Sequence, residues 1–381
     1  MQVELVKDEF SCGKNIRIFG VGGAGGNAVN TMISYDLKGV EFIVANTDIN
    51  DLNKSNSKLK LQMGKKITKG LGAGANPDIG RKAAEESKEE ILHHLEGAEM
   101  VFVAAGMGGG TGTGAAPYIA QMAKEMGILT IGIVNRPFQV EGKKRMVNAE
   151  KGIQKLKESV DTLIVIPNEK IKEEYRTVTV WESFKKADFI LYEAAKAVSD
   201  IINFSGFINV DFADVRTVTQ NRGLAIMGTG QAEGENRAVN AAIAAMSNPL
   251  LADVDLSNAG GLLINITAGE DFKMEEFEEI NRVIVERAGD EGDIITGLVF
   301  DDQVDGKIRV TLIATGLEAS GTKVYEIEKL KKQTETGNED LNDVLKRIRS
   351  QENFELAKQA EQKKSKTQAP GIPSFMRQFT N

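Results

Sequence analysis

The stretch Gly106-Met107-Gly108-Gly109-Gly110-Thr111-Gly112-Thr113-Gly114 sets six glycines and two threonines directly behind the apolar run 100–105 and ahead of a helix-like segment. Backbone this bare can wrap phosphate oxygens with its N–H groups, and a helix starting near Gly114 adds its positive end to the same point. Thr111 and Thr113 supply hydroxyl donors, or a route to a metal-bound water. A single such glycine reads as a tight turn. The whole run, with a second glycine cradle upstream, reads as a nucleotide loop. It lacks the Gly-Lys-Ser/Thr ending of a P-loop, which sets aside a Walker-type ATPase.

Working outward, residues 16–21 read as a buried strand that turns at Gly22-Gly23-Ala24-Gly25-Gly26 into a helix beginning near Asn27. Gly20, Gly22 and Gly25 fit the spacing of a dinucleotide fingerprint. However, Asn46 and Thr47 occupy the end of the second strand, where that fingerprint wants an acidic residue for a ribose. Further strands are expected at 41–45, 100–104, 128–134 and 162–166, and helices at 78–94, 114–126 and 141–159. This alternation predicts a mostly parallel sheet covered on both faces. Ligands of such sheets bind past the carboxyl ends of the strands, where both glycine segments fall.

After the strand at 128–134 come Arg136, Glu141 and Arg145. Glu141 can accept ribose hydrogen bonds and Arg145 can reach a sugar or phosphate, but surface ion pairing explains either residue as well. Asn27 and Asp188 offer donors and acceptors to a base edge. Phe184, one helical turn before Asp188, either stacks on a base or fills a core. Phe184, Leu191, Ala195, Val198 and Ile202 recur at helical spacing across 180–204, a helix of roughly 37 Å that can bridge two domains. Beyond it stand Asn209, Asp211 and Asp214, and the plainest reading makes Asp214 or Asp211 a helix cap.

A second α/β block covers 223–316, with strands expected at 223–228, 261–268, 294–300 and 307–314 and helices at 236–246 and 273–287. Its shorter glycine segments give it little part in nucleotide binding. Past Gly316 the chain turns polar. Leu341, Val344, Leu345 and Ile348 form a short stripe, and 351–369 has few residues able to build a core. Ile372, Pro373, Phe375, Met376 and Phe379 then restore apolar anchors, as in a peptide presented to a partner on a polar tether, or in an ordinary chain end.

The 381 residues suffice for two medium domains. With 27% charged residues and a formal net charge of -8, the chain reads as soluble and not as a nucleic-acid binder. Cys12 is the only cysteine, which excludes an internal disulfide framework and fits a reducing compartment. Glu4, Lys7, Asp8 and Glu9 interrupt the N-terminal stretch, so it reads as neither signal peptide nor anchor. No apolar run approaches the roughly 20 residues that span a bilayer.

Together, residues 20–27, 106–114, 209–214, 230–238 and 372–377 resemble the FtsZ family of tubulin-like cell-division GTPases, over about 16–316 and again at the tail. The resemblance implies an N-terminal extension (1–15), a GTP-binding domain (16–178), a central helix (179–204), a synergy loop with its following helix (205–222) and a C-terminal GTPase-activating domain (223–316). A polar linker (317–369) and a partner-binding peptide (370–381) complete it. By the same resemblance Gly106 and Gly108 to Gly114 form the phosphate loop, and Gly22, Gly23 and Asn27 complete the pocket. Asn46 and Thr47 lie near the phosphates or metal-bound water, Glu141 and Arg145 at the ribose, Asn168 at the sugar or base, Phe184 on guanine and Asp188 at its edge.

The resemblance further implies that Asn209, Asp211 and Asp214 are inserted by the next subunit of a head-to-tail filament, so that GTP is hydrolysed to GDP at the shared interface with Mg2+ present. No fixed protein ligand for the metal is assigned. The terminal residues Ile372, Pro373, Phe375, Met376 and Arg377 would bind division-ring adaptors, giving indirect contact with the membrane. The implied location is the cytoplasm, at the division site. A dinucleotide-dependent oxidoreductase and a noncatalytic scaffold are the competing classes. The first leaves 106–114 and the acidic loop without a shared purpose.

Overall fold

The computed structural model describes residues 15–317 apart from 175–176, 204–211, 221, 252–253, 290–291, 302–303 and 305. Its strands are β1 (Ile16–Val21), β2 (Val40–Asn46), β3 (Leu59–Gln62), β4 (Met100–Gly106), β5 (Leu129–Arg136), β6 (Thr162–Pro167), β7 (Gly223–Glu233), β8 (Gly261–Ala268), β9 (Asp293–Phe300) and β10 (Lys307–Leu317). They form one sheet in the order β3-β2-β1-β4-β5-β6-β7-β10-β8-β9. Pairing is parallel from β3 through β7 and between β8 and β9. It is antiparallel only where β10 sits between β7 and β8. The sheet passes from the first block to the second through a short ladder, Thr162 to Ile164 of β6 against Gly223 to Ala225 of β7.

The first-block helices are α1 (Gly22–Ser34), α2 (Ile49–Asn53), α3 (Lys65–Thr68), α4 (Pro77–Glu86), α5 (Lys88–Leu95), α6 (Thr111–Glu125), α7 (Lys143–Ser159) and α8 (Asn168–Glu174). They are followed by α9 (Val180–Asn203), α10 (Phe212–Thr219), α11 (Arg237–Met246) and α12 (Met274–Ala288). Successive side chains of a strand point to opposite faces. Accordingly Met100 and Phe102 of β4 join α1, α9 and α10 in one core, while Val101, Val103 and Ala105 join α4 to α7 in another. Both faces are covered, which is why the strand reads as an unbroken apolar run. A third core lies under α11 and α12.

Three departures from the sequence reading have local causes. Helix α1 begins at Gly22 and not near Asn27, because Gly25 packs so closely on β4 that a Cβ there would overlap the Ala104 carbonyl oxygen. Its glycines are helical turns laid on the sheet and not a preceding loop. Helix α6 likewise starts at Thr111, three residues before Gly114. The helix expected over 78–94 is two, meeting at Ser87, whose backbone leaves helical geometry at ψ of 22° and whose hydroxyl accepts the Gly64 N–H at 3.1 Å.

The long helix α9 runs against the strands. Phe184 near its start meets Phe138, just past the carboxyl end of β5, with ring centroids 5.2 Å apart. At its other end the Asn203 amide donates to the Gly39 carbonyl at 3.1 Å, immediately ahead of the amino end of β2. Its 24 residues, about 36 Å of helix, therefore cross the sheet from one edge to the other.

Candidate nucleotide site

The parallel strands β1, β2, β4, β5 and β6 all end on one edge, and each contributes to it. From β1 the chain enters Gly22 in the left-handed region, with φ of 74°. A Cβ on Gly22 would lie 2.9 Å from the Gly112 nitrogen, so the starts of α1 and α6 meet there and only glycine fits. Two helix N-termini thus converge, each carrying unpaired N–H groups and partial positive charge. Neither α1 nor α6 has a side-chain cap at its start. Gly23 and Asn27 lie exposed beyond this junction.

From β2 come Asn46 and Thr47, both buried. Asn46 Oδ1 accepts the backbone N–H of Thr47 at 2.8 Å and of Asp48 at 3.2 Å, turning the chain back on itself. Thr47 Oγ1 is 2.6 Å from Thr111 Oγ1, a hydroxyl pair joining the end of β2 to the first residue of α6.

The glycine run is of two kinds. A Cβ on Gly110 would lie 2.9 Å from the Asn76 nitrogen, one on Gly112 2.8 Å from the Gly106 carbonyl oxygen, and one on Gly114 would overlap the Pro77 carbonyl oxygen. These glycines seat α4 and the sheet against α6. Around Gly109 a Cβ would meet nothing within 4 Å, so its bareness serves an open space. The threonines divide in the same way. Thr113 is buried and its hydroxyl accepts the Gly108 N–H at 2.9 Å, bracing the loop from within, while Thr111 stays half-buried at the edge.

Beyond β5, Glu141 and Arg145 form an ion pair with each other, and Glu141 also accepts the Phe138 N–H at 2.9 Å. Phe184 stands edge-on to Phe138 and is 44% exposed, leaving ring surface for a stack. One turn on, Asp188 is buried, and burial pushes its carboxyl up to about 7 against the opposing pull of Lys185. At the end of β6, Asn168 is 4% exposed and its Oδ1 finds no partner among the described residues. A buried amide oxygen left bare is costly unless something else reaches it.

Sequence reasoning missed two residues of this edge. Asn135, the β5 residue paired with Gly106, has a buried Oδ1 without a partner among the described residues and uses its backbone carbonyl to hold the Met107 N–H at 2.9 Å. The carboxyl-end rule that drew attention to Asn46 would also have reached it. Phe138, which fixes the Phe184 ring, had no signal beyond being aromatic.

Asp214 is exposed in the first turn of α10, and α10 follows the end of α9 at the opposite edge of the sheet. Asn209 and Asp211 lie outside the described residues, as do Ile372, Pro373, Phe375, Met376 and Arg377. Among the described residues no helix is long and apolar enough to cross a membrane.

Residues 15–176 match the family model for the Tubulin/FtsZ family, GTPase domain, and 223–318 match that for the FtsZ family, C-terminal domain. The protein is thus a tubulin-like GTPase. Among curated proteins it is 46% identical over 371 residues to the cell division protein FtsZ of Coxiella burnetii, covering 96% of each chain. It is 52% identical over 313 residues to that of Pseudomonas aeruginosa, covering 82% of this chain and 79% of the relative. A solved FtsZ dimer from M. jannaschii superposes with a TM-score of 0.77 at 42% identity, over 80% of this chain and 88% of that one. CetZ2 from Haloferax volcanii, in a GTPγS-bound protofilament, shares the fold with a TM-score of 0.70 at 21% identity, over 84% and 99%. The chain belongs to the FtsZ family, binding GTP and GDP and acting in cell division as a self-associating, filament-forming GTPase.

Proposed function

We propose that one protomer holds GTP at the carboxyl edge of the sheet while the next protomer supplies Asn209, Asp211 and Asp214 from its opposite edge. The carrying observation is the course of α9, with Phe184 beside Phe138 at one end and Asn203 on Gly39 at the other. No single chain can bring both ends of such a helix to one phosphate. A head-to-tail neighbour can, and a contact of this kind repeats without closing.

Within the pocket, the N–H groups of 109–112 take the phosphate oxygens, with Gly109 as the point of closest approach. Glu141 and Arg145 exchange their mutual pair for the ribose. Asn168 Oδ1 finds its missing donor on the sugar or base, Phe184 stacks on guanine, and ionised Asp188 accepts from the guanine edge beside Asn27. Mg2+ suits this edge, since the Thr47 and Thr111 hydroxyls are neutral oxygens and the ion binds chiefly through phosphates and its own waters. These two hydroxyls would hold it or its waters, and once bound it would offset charge on the β and γ oxygens.

Hydrolysis forms a bond from water oxygen to the γ-phosphorus and breaks the bond from that phosphorus to the β–γ bridging oxygen. Asp211 and Asp214 position or polarise the water, and Asn209 adds a neutral donor and acceptor. The divisions at 1–15, 16–178, 179–204, 205–222, 223–316, 317–369 and 370–381 follow this division of labour. The terminal peptide binds adaptors that hold filaments at the division site, beneath the membrane in the cytoplasm.

Light scattering and phosphate release measured together across protein concentration, with GTP, GDP and NAD compared, test the reading. The expected result is a GTP-specific rise in both above a threshold concentration. Full turnover by strictly separated monomers would overturn it.

A further inference from the structure

We propose that the cleft between α4, α6 and α7, on the reverse side of the phosphate loop, is a second ligand site for a small organic anion with a flat apolar body, and that its occupancy changes nucleotide affinity. The cleft encloses about 510 Å3, within the roughly 300–1,000 Å3 of small-molecule pockets. Its apolar walls are Pro77, Pro117 and the ring of Tyr118. Gly114 and Gly152 lie in its floor, where α6 packs closely on α4 and on α7.

The lining carries three cations, Arg81, Lys151 and Lys155, against two acids, Asp78 and Glu158. Lys151 and Lys155 stand one turn apart on α7, and neither has an ion-pair partner among the described residues, an arrangement of like charges that is mildly unfavourable by itself. Arg81 faces them from α4, with one side of its guanidinium on Glu85 at 2.9 Å. The two acids of the lining are otherwise served. Asp78 sits in the first turn of α4, at its positive end, and Glu158 accepts from the Gln154 amide at 3.2 Å. An anion between the two lysines relieves their repulsion, and a planar body then lies over Pro117 and Tyr118.

Coupling runs through Thr113. It lines the cleft, packs against Gly152 and, through its hydroxyl, holds the Gly108 N–H at 2.9 Å. The start of α7 leans on the same loop, since a Cβ on Gly108 would lie 2.8 Å from the Arg145 carbonyl oxygen. A ligand that spreads α6 from α7 therefore shifts the loop, and linkage makes the effect reciprocal. The site rests on its own cavity; only the coupling rests on the nucleotide reading.

Phenyl phosphate is a suitable probe, titrated into GDP-saturated, isotopically labelled protein and followed by amide NMR. The expectation is a saturating shift at Gly114 and Gly152 with a dissociation constant of about 1 mM or tighter. It should weaken at least about tenfold in the Lys151→Glu/Lys155→Glu variant. Lys157→Glu, on the same helix outside the cleft, should bind as the parent does, and benzyl alcohol should not bind. No saturation, unchanged binding in the double variant, or shifts confined to Gly23 and Asn27 would each overturn the site. Equal dissociation constants for GDP-bound and nucleotide-free protein would overturn the coupling.

Discussion

Two alanine substitutions five residues apart should have opposite consequences. In Gly109→Ala the new methyl meets no heavy atom within 4 Å, and the backbone there is not left-handed, so the fold accepts it. Stability should change by less than about 0.5 kcal/mol, with a small gain from the stiffer unfolded chain. The same methyl stands where phosphate oxygens must approach. Losing one charge-assisted hydrogen bond there costs about 1.5–3 kcal/mol, or roughly ten- to a hundredfold in GTP affinity. In Gly114→Ala the methyl overlaps the Pro77 carbonyl oxygen and lies 2.7 Å from the Arg81 nitrogen. Both neighbours are backbone, so α4 or α6 must shift, at about 1–3 kcal/mol or more. For a chain of this size that lowers Tm by about 1–2 °C per kcal/mol. Calorimetric melting of nucleotide-free protein and titration with GTP would read both effects. Parent-like affinity in Gly109→Ala, or a lower melting point for it than for Gly114→Ala, would refute the division of the glycines.

Three further outcomes are expected. Burial favours the protonated form of Asp188 up to about 7, so this group's contribution to stability is lost as pH rises from the usual carboxylate range toward 7, while guanine binding, which needs the ion, strengthens over the same window. GDP affinity measured at pH 6 should be up to about tenfold weaker than at pH 8, and Asp188→Asn should bind weakly without that slope; a flat profile in the parent would argue against the role. Phe184→Ala should lose about 1–3 kcal/mol of guanine-nucleotide binding with little change in melting, and equal loss for inorganic triphosphate would contradict stacking. Asp214→Ala should bind GTP like the parent yet lose assembly-stimulated phosphate release, and normal turnover would remove Asp214 from the reaction.

Much of the fold is legible because burial on both faces makes β1, β4 and β5 continuous apolar runs, and because α9 repeats its apolar face over many turns. Short elements were not legible. Strand β3, Leu59–Gln62, is half-exposed at the sheet edge, and α2 and α3 owe their form to local bonds such as the Asp48 carboxylate on the Asn50 N–H at 2.8 Å. The glycine run announced a loop but not which glycines serve packing, since that depends on where Pro77 and Asn76 of α4 come to rest. Likewise the bonding of Thr47 to Thr111, 64 positions apart, is a product of strand order and not of spacing.

The edge-to-edge course of α9 makes the two tips of any assembly chemically unlike. On the proposed reading, the nucleotide at one tip has no neighbour's Asn209, Asp211 and Asp214 to complete it and keeps its γ-phosphate, while at the other tip those residues have no nucleotide to serve. A filament built from this chain therefore has a direction, and growth and loss need not proceed alike at its two extremities.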